Sequence, residues 1–208
     1  MIKGIFFDFD GVLTIEKMGT PTIVSYIAGQ IHRPFDEVNQ AYRKHNKALL
    51  KGDITHKDMW PAFCKDLGLH VDYHILEDAF LNMTLDETLI EYIRTIKSDY
   101  IIGMITDNKV DRIEAILTQK GLKEIFDVVM ISGAVHSCKN EKKIFEETLR
   151  EAKLCPGECV FIDNTAENLV IPGSMGFQTI LFDDENRNLN VIIDALKHVV
   201  CEGREGNE

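Results

Sequence analysis

Two aspartates, Asp8 and Asp10, lie one residue apart in the stretch FFDFDGVLT at residues 6–14. They come at the end of an apolar run, and such a run normally enters a hydrophobic core, where an unpaired charge is very costly. Two like charges at this point therefore indicate a site where a partner of opposite charge is expected.

Polar side chains also follow the apolar runs YIIGMIT at 100–106 and ECVFID at 158–163, and Lys139 lies in a loop after a third run, FDVVMIS at 126–132. Ligand sites in a parallel α/β sheet form at the carboxyl ends of the strands, so these side chains are expected at one edge. Gathered oxygen atoms that include several carboxylates favour a hard cation, and Mg²⁺ is the natural candidate. The oxygen-bearing residues concerned are Asp8, Asp10, Thr106, Asp107, Asn108, Asp163 and Asn164.

The apolar runs have the pattern of strands buried on both faces, because they are rich in β-branched or aromatic residues and do not alternate with polar ones. A weaker run of this kind is FQTILFD at 177–183. Helical patterns at 110–122, 141–154 and 186–200 lie between and after these runs. Strand and helix therefore alternate from about residue 100, which predicts an α/β, Rossmann-like fold with a mostly parallel sheet and helices on both faces.

Residues 15–85 have a different pattern, with amphipathic helical segments broken at Gly52 and Gly68 and no convincing strand. The sequence therefore predicts a discontinuous α/β core at 1–14 and 86–208, interrupted after its first strand by a small α-helical domain at 15–85. The last eight residues, 201–208, are expected to be disordered.

The composition is that of an ordinary globular chain of 208 residues, with a net charge of −11 that disfavours binding to a nucleic acid backbone. The N-terminal apolar run is broken by two aspartates, which is not the pattern of a signal peptide, and no stretch approaches the roughly 20 apolar residues of a membrane span. Cytoplasmic location and free thiols are expected. The five cysteines are Cys64, Cys138, Cys155, Cys159 and Cys201.

These motifs resemble those of the haloacid dehalogenase (HAD) superfamily, specifically its phosphatase-like branch with a helical cap. FFDFDGVLT resembles the first motif, IIGMIT the second, Lys139 before a helix the third, and VFIDNTAENLVIPGSMGF the fourth. They occur in the family's order, and the resemblance covers the whole predicted core. The insert has the size and position of the family's cap.

The resemblance implies roles for individual residues. Asp8 would be the nucleophile that forms an aspartyl phosphate, and Asp10 the general acid and then base, with its backbone carbonyl on the metal. Thr106 would hold a phosphoryl oxygen with the backbone amide of Asp107, Asn108 would add a donor, and Lys139 would pair with Asp8 and offset phosphoryl charge.

The fourth motif departs from the family pattern, since many relatives carry two adjacent acids where this chain has Asp163 and Asn164. The metal ligands are therefore expected to be Asp8, Asp10, Asp163 and Asn164, with the stronger contact shifted to Asp163 and help from Glu167. Dehalogenases of the superfamily lack an aspartate at the position of Asp10, because a halide leaving group needs no proton. Its presence here favours phosphoryl transfer.

In this family the cap closes over the site and contacts the leaving group. Lys17 is predicted to bind substrate, and the basic cluster RKHNK at 43–47 suggests an anionic or hydroxyl-rich substrate. Trp60 and Phe63 are assigned to the core of the cap. The candidate substrate contacts in the cap are Glu16, Lys17, Arg43, His45, Lys47 and His56.

We therefore predict a Mg²⁺-dependent phosphatase that acts on a small phosphate monoester, such as a sugar phosphate. One alternative is a phosphomutase of the β-phosphoglucomutase type, which shares the chemistry and differs in its product. Another is a non-catalytic binding module of the same fold, for which Asn164 is the support. The expected partner is a small phosphorylated metabolite, with no nucleic acid or membrane, and the chain is expected to be a monomer or weak homodimer.

Overall fold

A computed structural model describes the backbone of residues 1–205 and the side chains of residues 1–197. Five parallel strands form one sheet in the order β3-β2-β1-β4-β5, so the first strand lies at its centre. The predicted α/β class and parallel sheet are confirmed. The strands are β1 (Gly4–Phe7), β2 (Ile101–Thr106), β3 (Val128–Ile131), β4 (Cys159–Asp163) and β5 (Gln178–Leu181).

Successive side chains of β1 point to opposite faces of the sheet, as the two-residue period of a strand requires. Phe7 joins an apolar cluster that also contains buried residues of the helices at 87–96, 110–119 and 189–205. Phe6 joins a cluster on the other face, with residues of the helices at 142–152 and 166–175. The sheet is therefore covered on both faces, which explains why its strands are continuous apolar runs.

Residues 1–205 contain ten α-helices. A turn at Phe9–Leu13, with non-helical backbone at Asp10 and Gly11, follows β1, and a 3-10 turn at Pro156–Glu158 precedes β4. The α-helices are α1 (Gly19–Gln30), α2 (Phe35–Leu50), α3 (His56–Leu67), α4 (Tyr73–Leu81), α5 (Glu87–Ile96), α6 (Val110–Gln119), α7 (Ser132–Val135), α8 (Lys142–Ala152), α9 (Ala166–Met175) and α10 (Leu189–Glu205).

Helices α1 to α4 belong to the segment 15–85, which we call the helical insert, and they bury an apolar cluster of their own. Trp60 and Phe63 stack within that cluster, with ring centroids 4.8 Å apart. The two chain segments that join the insert to the sheet run antiparallel side by side. Ile15 N donates to Thr84 O at 2.8 Å, and Asp86 N donates to Leu13 O at 2.9 Å.

The insert contacts the α/β part at places besides these connections. His56 of α3 is buried, with Nδ1 2.8 Å from the carboxylate of Asp111 on α6. At the end of α2, the Leu50 carbonyl accepts from the Ser132 hydroxyl at 2.8 Å. Gly52 has φ +70° and lies directly against the backbone of Gly133, so closely that a Cβ atom at residue 52 would overlap the Gly133 carbonyl.

Most of the local predictions agree with the structure. The five apolar runs are strands, and helices occupy most of the segments 110–122, 141–154 and 186–200. The prediction of disorder is wrong for 201–205, which continue α10, whereas 206–208 lie outside the described residues. Cys64, Cys138, Cys155 and Cys159 are free thiols, as expected. Among the described residues, no helix is long and apolar enough to cross a membrane. The domain boundaries at 14/15 and 85/86 stay predictions.

We expect Gly52→Ala to destabilise the protein more than Gly68→Ala does. Both glycines have positive φ, which costs an alanine about 1 kcal/mol, but a Cβ atom at Gly68 would meet nothing within 4 Å. Overlap with Gly133 should add roughly 1–3 kcal/mol at residue 52. Urea unfolding of the two variants measures the difference. Equal losses of unfolding free energy would show that the end of α2 does not depend on this close approach.

Candidate active site

The strand ends enclose a cavity of about 260 Å³, which we call the Asp8 cavity. It lies between the sheet edge and the helical insert. Apart from the candidate contacts in the insert, every predicted site residue lines it except Asp163, which is buried, and Glu167. From the α/β part the lining includes Asp8, Asp10, Thr106, Asp107, Asn108, Lys109, Lys139, Asn164, Thr165 and Asn168. From the insert it includes Lys17, Met18, Gly19, Thr20, Pro21, Arg43, Asn46 and Leu50.

The turn after β1 presents Asp8 to this cavity. The Asp8 amide donates to Ile162 O of β4 at 2.9 Å, and its carboxylate accepts from the Phe9 amide at 2.7 Å. Gly11 has φ +86°, and a Cβ atom there would overlap the side chain of Asn164. A glycine at residue 11 therefore lets the turn after β1 pass directly beside the end of β4.

The ammonium of Lys139 lies between two carboxylates. Its Nζ is 2.7 Å from Asp8 Oδ1 and 2.6 Å from Asp163 Oδ2, and only about 1% of Lys139 is exposed. Burial lowers the pKa of the Lys139 ammonium, but Asp8 and Asp163 together raise it above its usual range. One positive charge thus serves two buried negative charges.

The pKa of Asp8 reflects this shortage of positive charge. Burial raises its pKa, Lys139 lowers it and Asp163 raises it, which together bring the pKa of Asp8 to about 7. A cation at this site would favour the ionised carboxylate and lower that pKa. The neighbouring Asp107, whose carboxylate accepts from the Lys139 amide at 2.9 Å, also has a pKa raised by burial.

Asp163 is already surrounded by donors. One carboxylate oxygen accepts from the Thr165 amide at 2.8 Å, the other accepts from Lys139, and the Asn168 amide lies 3.1–3.2 Å from both. Its carboxylate thus holds Lys139, Asn168 and the first turn of α9 in place. The expectation that Asp163 makes the stronger metal contact stays a prediction, as does the help expected from Glu167.

Asn164 lines the cavity, and a hydrogen bond to Asp184 fixes the orientation of its side-chain amide. Nδ2 donates to Asp184 Oδ2 at 2.9 Å. The other oxygen of Asp184 pairs with Lys17 Nζ at 2.8 Å, and Glu185 lies 3.2 Å from the same ammonium. Because Nδ2 is engaged by Asp184, the Asn164 oxygen is left free to act as an acceptor or ligand.

Asp10 is held by an arginine. The Arg112 guanidinium forms two parallel hydrogen bonds to its carboxylate, at 2.7 and 2.8 Å, and Asn108 Nδ2 adds a third at 2.8 Å. Burial raises the pKa of Asp10, but Arg112 and Asn108 outweigh that effect and lower it below the usual range. Arg112 is itself only about 1% exposed and lies over the ring of Phe9. In this arrangement Asp10 is ionised.

Lys109, which directly precedes α6, is buried beside the pair of Asp10 and Arg112. Its Nζ donates to the Thr20 hydroxyl at 2.9 Å, which joins the start of α6 to the start of α1. Burial and the nearby Arg112 lower the pKa of Lys109 to about 7.

Of the candidate contacts in the insert, the structure brings only Lys17 and Arg43 to the Asp8 cavity. Glu16 instead accepts two hydrogen bonds from Thr84 in the connecting segments. His56 contacts the hydroxyl of Tyr42 at 2.6 Å and Asp111, inside the protein. His45 and Lys47 lie on α2 but do not line this cavity, although Lys47 lines a neighbouring groove.

Sequence reasoning missed Lys109, Arg112, Asn168 and Asp184. In the sequence, Arg112 and Lys109 look like ordinary polar residues at the start of an amphipathic helix. Only their burial in the structure distinguishes them from exposed residues of that kind. The one available signal was their closeness to the strand end at 106–108.

The donor set suits a hard cation. No three His, Cys, Asp or Glu side chains converge on one point among the described residues. Mg²⁺ does not need such a cluster, since it is usually bound through one or two carboxylates together with substrate phosphates and water. The Asp8 carboxylate, the Asp10 carbonyl and the Asn164 oxygen are all hard oxygen donors near the Asp8 cavity. These residues therefore fit Mg²⁺.

Comparison with known families finds one matching model, described as haloacid dehalogenase-like hydrolase, over residues 2–170. A stretch of 58 residues is 38% identical to acyl-CoA dehydrogenase family member 10 of Mus musculus, which is 28% of this chain and 5% of that mouse protein. The chain thus spans a small part of the length of this curated relative.

Solved structures with the same fold include HAD family enzymes and a haloacid dehalogenase. A HAD family enzyme from Bacteroides thetaiotaomicron, in complex with magnesium and inorganic phosphate, has a TM-score of 0.73 at 16% identity and covers 89% of this chain and 96% of its own. A predicted HAD-like hydrolase from Porphyromonas gingivalis has a TM-score of 0.73 at 20% identity, covering 94% and 98%. L-2-haloacid dehalogenase from Xanthobacter autotrophicus, with chloropropionic acid covalently bound, has a TM-score of 0.64 at 17% identity, covering 88% and 78%.

The raised pKa of Asp8 predicts a pH-dependent stability. Between about 3.9, the pKa of an unfolded aspartate, and about 7, the folded metal-free protein holds a proton that the unfolded chain has lost. This group alone therefore makes the free energy of unfolding fall as pH rises through that window, with no further loss above pH 7. Asp8→Asn cannot titrate and should gain on the order of 2–4 kcal/mol relative to wild type between pH 4 and pH 7.

Thermal unfolding in the presence of a chelator, from pH 4 to pH 8, measures this difference. Asp10→Asn is the matched control, because the lowered pKa of Asp10 places its titration below this window. A constant difference between Asp8→Asn and wild type across the window would contradict the assignment of excess negative charge to Asp8.

Proposed function

Because the chain belongs to the haloacid dehalogenase-like hydrolase family, we propose that it is a Mg²⁺-dependent phosphatase that acts on a small phosphate monoester. One observation carries the proposal. Asp8, a buried carboxylate, lines a cavity together with Thr106 and Lys139, and a second carboxylate follows two residues later. That combination supports transfer of a phosphoryl group to Asp8 and then to water.

In the first step an Asp8 oxygen attacks phosphorus, and the bond from phosphorus to the leaving oxygen breaks. The leaving oxygen takes a proton from Asp10. Lys139 and the Thr106 hydroxyl supply positive charge and a hydrogen bond to the phosphoryl oxygens. The Asp107 amide and Asn108 add donors at the same strand end. The product of this step is an aspartyl phosphate and a free alcohol.

In the second step Asp10 removes a proton from water, and the water oxygen attacks phosphorus and releases inorganic phosphate from Asp8. The hydrogen bonds from Arg112 keep Asp10 ionised, which is the form that this second step requires. The first step requires a protonated Asp10. We therefore propose that substrate binding displaces Asp10 from Arg112, and that Asp10 then takes up a proton from water before the first step.

The proposed metal ligands are the Asp8 carboxylate, the Asp10 carbonyl and the Asn164 oxygen, with Asp163 acting through Lys139. When bound, Mg²⁺ would offset negative charge on the transferring phosphoryl group. The complex of a relative with magnesium and phosphate supports this choice of ion.

The carboxylate of Asp10 is the feature that distinguishes phosphatase from dehalogenase chemistry. Similar folds include dehalogenases, so the fold alone does not decide between them. A halide leaves without a proton, and dehalogenases of the superfamily lack an acid at this position. A half-buried carboxylate that contacts Asn108 and Arg112 beside Asp8 supports phosphoryl transfer.

The remaining expectations follow from this proposal. The partner would be a small phosphorylated metabolite, and the acidic balance of 34 Asp and Glu against 23 Lys and Arg argues against nucleic acid. We propose a cytoplasmic enzyme that works as a monomer or weak homodimer, with residues 15–85 acting as its cap.

We expect wild-type protein to release inorganic phosphate from an aryl phosphate when Mg²⁺ is present, and Asp8→Asn to lose at least about a thousandfold of this rate. Phosphate release after the substrate is added measures the rate, and equal yields of phosphate and phenol identify water as the acceptor of the phosphoryl group. Asp194→Asn, an exposed carboxylate on α10, is the control. Equal rates for Asp8→Asn and wild type would overturn the proposed nucleophile.

We expect Asp184→Asn to weaken Mg²⁺ binding about tenfold or more, because loss of an outer carboxylate commonly has this effect on metal affinity. Asp184 orients the Asn164 amide, and its charge stands near the proposed ligands. Calorimetric titration with Mg²⁺ measures the affinity. Glu185→Gln is the matched control, since Glu185 contacts Lys17 but not Asn164. A similar loss in both variants would assign the effect to Lys17 instead.

A further inference from the structure

We propose that the wall of the Asp8 cavity formed by Thr20, Arg43, Asn46 and Lys109 binds a carboxylate on the substrate. The substrates would then be phosphate monoesters of small hydroxy acids, with the carboxylate on the leaving group. This inference rests on the proposed phosphatase function and narrows its substrate class.

The hydrogen bonds of this wall leave donors facing the cavity. Lys109 Nζ can only donate, so the Thr20 hydroxyl accepts its bond at 2.9 Å. The Thr20 hydroxyl hydrogen then goes to Asn46 Oδ1 at 3.1 Å. With its oxygen engaged, Asn46 has its Nδ2 group left to donate. Lys109 has two further N–H bonds.

The charge of Lys109 is not matched by a carboxylate of its own. Lys109 is about 4% exposed and forms no ion pair among the described side chains. The nearest acids are engaged elsewhere, Asp10 with Arg112 and Asp111 with His56. Because a buried ammonium without a partner is costly, a bound anion would favour the charged form of Lys109.

Arg43 adds a second cation at the same wall. It is exposed, lines the cavity, and has no acidic partner within the described part of the chain, whereas the neighbouring Lys44 pairs with Asp66 at 2.8 Å. A guanidinium binds a carboxylate through two parallel hydrogen bonds, which makes it well suited to recognise this group.

The chemistry of the wall disfavours a sugar phosphate. Sugar hydroxyls need acceptors as well as donors, and the acceptors of Thr20 and Asn46 are already used.

The test compares 3-phosphoglycerate with glycerol 3-phosphate, which has the same carbon number and a hydroxymethyl group in place of the carboxylate. We expect wild type to have a kcat/KM at least about tenfold higher for 3-phosphoglycerate, as charged hydrogen bonds contribute that much or more. Arg43→Gln should lose about tenfold with 3-phosphoglycerate and little with glycerol 3-phosphate. Lys44→Gln, one residue away and directed to Asp66, should change neither value.

Binding to Asp8→Asn in the presence of Mg²⁺, measured by calorimetry, tests the inference independently of turnover. We expect the same preference for 3-phosphoglycerate, reduced by a further Arg43→Gln or Lys109→Met change. Equal affinities for the two esters, or an equal loss of both in Arg43→Gln, would overturn the carboxylate site. Preferential binding without phosphate release from any ester by wild type would instead retain this site and overturn the phosphatase.

Discussion

The contact on which the site depends is the buried ion pair of one ammonium with two carboxylates, Lys139 between Asp8 and Asp163. The two carboxylates stand at the ends of neighbouring strands, β1 and β4, and would repel each other without it. Lys139 comes from a loop that follows β3, which lies on the other side of the sheet centre. The strand order, with β1 in the middle, is therefore what allows a single cation to close the site.

At the end of β4 the side chain that lines the cavity is an amide, Asn164, and the carboxylate of Asp184 lies one hydrogen bond beyond it. Asp184 also pairs with Lys17, in the segment that joins β1 to the insert. The carboxylate of Asp184, which lies near the proposed metal ligands, is thus paired with Lys17, a residue whose position depends on the insert.

The parts of this protein that are predictable from sequence are those with a local signal. Continuous apolar runs with polar ends give the five strands and bring Asp8, Thr106 and Lys139 to one edge. Arg112 has no such signal, because whether a polar residue at the start of a helix is buried depends on what packs over it. The donors around Asp163 have no such signal either, since they come from Lys139 and from a turn of the following helix, contacts that exist only in the folded chain.

Arg112 connects the acid–base group to the opening of the site. Its guanidinium lies so close to Gly19, the first residue of α1, that a Cβ atom there would overlap it, and the adjacent Asp111 binds His56 of the insert. A movement of the insert away from the sheet would break that bond and expose Arg112 to water, which would weaken its hold on Asp10. The hydrogen bonds of Asp10 therefore depend on where the insert lies.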